Sequence, residues 1–195
     1  MNYRTPLLYL AAITSVSPTM AQAPPPALDC MASEHTASDL KSIDRFSGIN
    51  QDGADEFRAK VKAVAEAAVA RCAEKNTWPG EATEPAVMFE TARLAEAAYR
   101  RAGSLNGKEL RAIDAVLERK ASDGFWLALE RGFEDDAEIE DALSAEEQEV
   151  FVDLIVAIEA AEDEAKQEAV GTVLALMIAK RKGAREFQSA QGRRH

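Results

Sequence analysis

Apolar residues recur at helical spacing through most of this chain. Phe57, Val61, Val64, Ala68 and Cys72 fall on one stripe, while Arg58, Lys60, Lys62, Glu66 and Arg71 lie mostly opposite. The pattern predicts an amphipathic helix ended by Asn76, Thr77, Trp78 and the Pro79-Gly80 breaker. A shorter helix is predicted before it, opening at Ser38-Asp39 and carrying Leu40, Ile43 and Phe46. The turn-rich link between the two contains Asp52, which suits the N-cap of the Phe57 helix.

The same reading continues toward the C-terminus. Thr83 to Arg101 is the next helix, capped by Thr83 or Glu84, with Val87, Met88, Leu94, Ala95, Ala98 and Tyr99 inward. Asn106 with Glu109 forms a capping box for a helix through Leu110, Ile113, Val116 and Leu117. Ser122-Asp123-Gly124 breaks or kinks that run, and Phe125, Trp126 and Leu129 continue an apolar face. Ser144 with Glu147 is a second capping box, ahead of Val150, Phe151, Leu154, Ile155 and Ile158. Beyond it, either one long helix runs on or Glu162-Asp163-Glu164 caps a new one, which buries Val170, Val173, Leu174, Met177 and Ile178. Gly183 is placed at the frayed end of that helix. No stretch alternates in the manner of a strand. The expected fold is an all-α compact bundle of about five to six helices.

The N-terminus departs from this periodicity. Met1 to Arg4, the apolar run Pro6 to Val16 and the small residues around Ala21 read as a signal peptide over 1–21, too short to span a membrane. Residues 22–37 read as a Pro-rich leader, in which Gln22 to Leu28 adds nothing to the core. The helical domain is expected over 38–187 and a disordered tail over 188–195. An exported chain with two cysteines is expected to pair them, so Cys30 and Cys72 form the predicted disulfide. Closing that loop is worth ~4 kcal/mol on the chain-entropy model and staples the N-terminal segment to the Phe57 helix.

Charge and composition then narrow the function. The net charge is -11, and removal of 1–21 takes away Arg4 and makes the chain more acidic. An acidic surface offers no footprint for nucleic acid. With only His35 and His195, neither a catalytic triad nor a histidine zinc site can be assembled, and no Glu-x-x-His pair or phosphate-binding glycine loop is present. No cofactor is expected. Carboxylates abound, but none is singled out as a raised-pKa acid beside an ionised partner. The acidic stretch 134–141 suits a solvated connection or weak cation binding. Lys180, Arg181, Lys182 and Arg185 form the one basic patch, which either contacts an acidic partner or headgroup or complements acidic residues of the same chain.

The run Leu143-Ser144-Ala145-Glu146-Glu147-Gln148 resembles the Leu-Thr-x-x-Gln helix starts of periplasmic helical stress chaperones, with one residue more. That resemblance implies only a class, one that works by binding. The expected function is accordingly an exported, non-catalytic protein- or envelope-binding module. The alternatives are a secreted carboxylate-based hydrolase and a weak divalent-cation binder through 134–141.

Overall fold

The computed structural model describes residues 26–44, 54–134 and 143–193. Residues 1–21, read above as a signal peptide, lie outside the described residues, as do Asp52 and residues 135–141 of the acidic stretch. Eight α-helices, joined by two short 3-10 turns, make up the described residues, and no strand occurs among them. The helices are α1 (Cys30–Glu34), α2 (Ala37–Asp44), α3 (Ala54–Asn76), α4 (Thr83–Ala102), α5 (Gly107–Lys120), α6 (Asp123–Glu134), α7 (Ala145–Ala157) and α8 (Glu164–Gly192). The all-α fold class therefore stands. The helix count exceeds the expectation because the leader itself contains α1 and because the runs 107–134 and 145–192 are each divided into two helices.

Local signals explain most boundaries. Asn106 accepts hydrogen bonds from Lys108 N and Glu109 N, and the Glu109 side chain returns to Asn106 N at 2.7 Å. Ser144 and Glu147 make the same reciprocal box for α7. This capping geometry also accounts for the chaperone-like helix start, because any such box would produce it. Two helices end with a non-glycine residue in left-handed backbone, Thr77 (φ 52°) and Glu159 (φ 55°). In each case the next amide reaches back five residues, Trp78 N to Ala73 O and Ala160 N to Ile155 O, both at 3.0 Å. These are Schellman ends. The second, followed by the Asp163 cap on Lys166 N, divides residues 144–183 into two helices.

Helices α4 and α8 form the most extensive pairing. Gly183 lies beside Pro85 and Phe89, Lys180 beside Glu96, and Met177 beside Arg100, so the two run antiparallel. The N-terminal part of α8 packs with α5, α6 and α7 around Ile113, Phe125, Leu154 and Val173. Its C-terminal part packs with α3 and the start of α4 around Val69, Phe89 and Phe187. A third cluster, with Ile43, Val61, Val64 and Leu94, joins α2, α3 and α4.

Three expectations are corrected here. Gly183 does not end α8 but lies buried within it, where a Cβ would stand 2.6 Å from Phe89 N and 2.8 Å from Pro85 O. The tail assigned to 188–195 is helical to Gly192, because Phe187 and Ala190 continue the buried stripe. The leader contributes to the core, since Leu28 and Met31 are both buried.

Candidate functional site

The N-terminal segment 26–35 lies across α3 and α4 as a strap. Cys30 and Cys72 sit at disulfide-bonding distance, with Cα atoms 6.1 Å apart. Asn76, one turn beyond Cys72, donates to Cys72 O at 2.9 Å and to Cys30 Sγ at 3.6 Å. Glu34 ends α1 between two cations of α3. Lys75 Nζ is 2.5 Å from Glu34 Oε1, and Arg71 donates to Glu34 O at 2.7 Å. The helix that follows is capped by Thr36 and Asp39, whose side chains bond each other's backbone N–H at 3.1 and 3.0 Å. The bond from Thr36 N, followed by the Thr36 side chain, holds the Asp39 carboxyl below its ordinary range.

At the end of the strap is a buried charged group that the sequence reading did not anticipate. His35 Nε2 contacts Glu90 Oε1, with the imidazole 2% exposed and the carboxylate fully buried. Arg93, one turn along α4, donates to the same carboxylate through Nε at 2.8 Å and Nη2 at 2.5 Å. Donation to the Glu90 carboxylate keeps the Arg93 guanidinium raised against the opposing effect of burial. Both oxygens of Glu90 are thus occupied, while His35 Nδ1 is buried without a hydrogen-bond partner. The signal for this site was present in the sequence. Glu90 stands in the register Ala86, Leu94, Ala98, a charge on an otherwise apolar stripe. Its partner could not be read there, because His35 is remote in sequence.

The basic residues 180–185 are brought together along α8, and each faces a carboxylate. Lys180 Nζ pairs with the largely buried Glu96 of α4. Arg181 reaches Asp123 at 3.0 Å and lies 5.0 Å from the Trp126 ring centroid. Lys182 is 3.9 Å from Glu186, and Arg185 holds Glu130 of α6 at 2.5 Å, with Glu130 only 6% exposed. Arg100 adds a bridge from Glu96 at 2.9 Å to Asp114 of α5 at 2.8 Å. Burial opposes the charge on Arg100, but Asp114 and Glu96 outweigh it and leave the group raised. Of the two roles open to this patch, the structure displays the intramolecular one.

A shallow depression lies between the start of α5 and the turn before α8, lined by Asn106, Lys108, Glu109, Ile158, Glu159 and Lys166. The Lys166–Glu109 ion pair, 2.7 Å long, crosses it. That contact and the Asn106 backbone lower the Glu109 carboxyl. Among the described residues no cluster of three metal-ligating side chains occurs, and no helix is long and apolar enough to cross a membrane.

Comparison with family models, curated proteins and solved structures gives no match for this chain. The class its own residues define is an all-helical protein with a cysteine pair, whose buried ionisable groups are engaged with one another.

Proposed function

We propose that this chain is an exported, non-catalytic helical module that acts by binding another protein or the envelope. The observation that carries the reading is the state of its buried carboxylates. Glu90, Glu96 and Glu130 each face one or two cations of the same chain, which leaves no poised buried acid beside an open cleft among the described residues. Export is supported by the pattern of residues 1–21 and by the cysteine pair.

Helix α7 favours binding over chemistry for a second reason. Val150, Leu154 and Ile158 face the core, yet Val152 and Val156 on its outer side are 59% and 67% exposed. Two exposed valines one turn apart on the outer side of its last turns, next to a buried face, offer a small apolar patch for a partner to cover.

The test is crosslinking and affinity capture of the tagged protein from the envelope fraction of its host, read by mass spectrometry. A stoichiometric partner that is lost in a Val152→Asp, Val156→Asp variant supports the proposal. A processed, folded protein that captures nothing and hydrolyses an ester or glycoside overturns it.

A further inference from the structure

The strap consists of one 3-10 turn, Pro26–Leu28, and the five-residue helix α1. Segments this short do not hold helical structure on their own, so their order comes from the surface beneath them. That surface is a groove between α3, the start of α4 and the end of α8, where Leu28 and Met31 meet Val69, Ala86, Phe89 and Phe187. The other attachments are the Glu34 pairs with Arg71 and Lys75, cations 42% and 63% exposed, the hydrogen bonds from Arg71 to Glu34 O and from Asn76 to Cys30 Sγ, and the contact of His35 with Glu90. Ion pairs on exposed cations contribute little. Two apolar anchors and one buried polar contact stand against the entropy of fixing the whole segment, a cost that accrues with every residue ordered. The Cys30–Cys72 link changes that balance by confining the free segment to the neighbourhood of its groove.

We propose that residues 26–35 are a redox-conditional cover, docked while Cys30 and Cys72 are bonded and released when they are reduced. Release uncovers the apolar groove around Val69, Phe89 and Phe187. Cys72 is fully buried and Cys30 half-buried, so Cys30 is the cysteine of the pair that we assign to attack by a dithiol reductant. Its thiolate bonds to Cys30 Sγ, the S–S bond breaks, and Cys72 Sγ leaves with the electron pair and takes up a proton. The second thiol of the reductant then displaces Cys30, which is protonated in turn. Two protein thiols remain and the reductant becomes a disulfide. The reverse exchange closes the cover. The rest of the bundle does not depend on it, because α4 and α8 pack through Gly183 and their own ion pairs. This inference holds whether or not the chain is exported. If it is, closure follows departure from the reducing compartment.

The experiment compares the oxidised full chain with the chain reduced by dithiothreitol and alkylated. Hydrogen–deuterium exchange, far-ultraviolet circular dichroism and anilinonaphthalene sulfonate fluorescence are followed. On reduction, exchange in peptides covering 28–36 should accelerate by at least about tenfold, with α4 and α8 unchanged and dye fluorescence increased. Oxidised His35→Ala should keep its strap protected. A Cys30→Ser variant should reproduce the reduced state without reductant, and if it does not fold, the reduced native sequence decides. Unchanged protection of 28–36 overturns the proposal, because noncovalent contacts then suffice. Loss of protection along the whole chain overturns it equally, because the bond then holds the fold and not the cover.

Discussion

The seam between α4 and α8 and the strap over α3 are both interfaces of a helix with the bundle, but they are secured differently. Helix α8 is 29 residues long and buries a stripe from Ala169 to Ala190. Every turn adds contact, and at Gly183 the two backbones touch. Ion pairs from Lys180 and Arg185 to Glu96 and Glu130 lie along its flanks. The strap has one turn of helix and two apolar anchors, and it is joined to α3 through the Cys30–Cys72 pair. Length supplies cumulative burial, and a segment without length depends on a cross-link. The difference also bears on where buried charge is tolerated, since among the described residues the buried carboxylates Glu90, Glu96 and Glu130 each pair with a cation carried by a long helix, α4 or α8.

The largest effect is expected from the seam. Gly183→Val places a branched side chain against Phe89 N and Pro85 O, backbone atoms that cannot rotate away. Alanine would gain about 1 kcal/mol of helix propensity over glycine, but the clash opposes it even there. For valine we expect a loss beyond about 3 kcal/mol, read as a lower urea midpoint. A midpoint within error of the parent would show that the helices do not pack this closely.

Next comes Glu90, where seam and strap meet. Glu90→Ala strands Arg93 and His35 and should cost about 3 kcal/mol. Glu90→Gln, which keeps an acceptor, should cost less. Equal losses in chemical denaturation would mean that the negative charge, which both variants lack, dominates the site, and not the packing or the acceptor that glutamine keeps.

Helix starts are weaker fastenings. Ser144→Ala and Asn106→Ala should each cost about 1 kcal/mol in the same assay. Asp39 and Glu109, in the first turns of α2 and α5, have lowered pKa values in the fold. A lowered folded value means that their stabilisation is complete above the unfolded pKa and is lost as pH falls through the folded one. Helicity should therefore decline below about pH 4, and Asp39→Asn should flatten that decline. A curve identical to the parent's would remove Asp39 from the account.

The smallest effects carry the opposite sign. Thr77→Gly and Glu159→Gly relieve left-handed backbone and should each raise stability by about 0.5 kcal/mol, the relief partly offset by the freedom glycine gains when unfolded. A lower thermal midpoint in either variant would contradict the Schellman ends.

Features set by neighbours in sequence were the legible ones. The boxes at Asn106 and Ser144, the stop at Trp78 and the break at Ser122 each arise within a few residues, so a linear reading finds them. Thr36 with Asp39 carries the same local signature, yet the sequence pattern opens this helix at Ser38-Asp39, whereas it begins at Ala37. The cysteine pairing was legible for another reason, since only two candidates exist. Gly183 was misread because glycine serves both as a helix stop and as a close-packing residue, and only the partner helix distinguishes the roles. The last turns of α8 were read as tail because Phe187 and Ala190 are too sparse a stripe to stand out among polar residues.

The sequence by itself determined the all-helical class, most helix ends and the cysteine pair, because periodicity, caps and inventory are properties of the linear chain. The tertiary structure decided which charges are spent. Only when α4 meets α8 and the strap does Glu90 acquire His35, Glu96 acquire Lys180, and Glu130 on α6 acquire Arg185. Such pairings span up to 84 residues of sequence. Nothing local encodes them, because their strength depends on burial and distance, and both are created by packing.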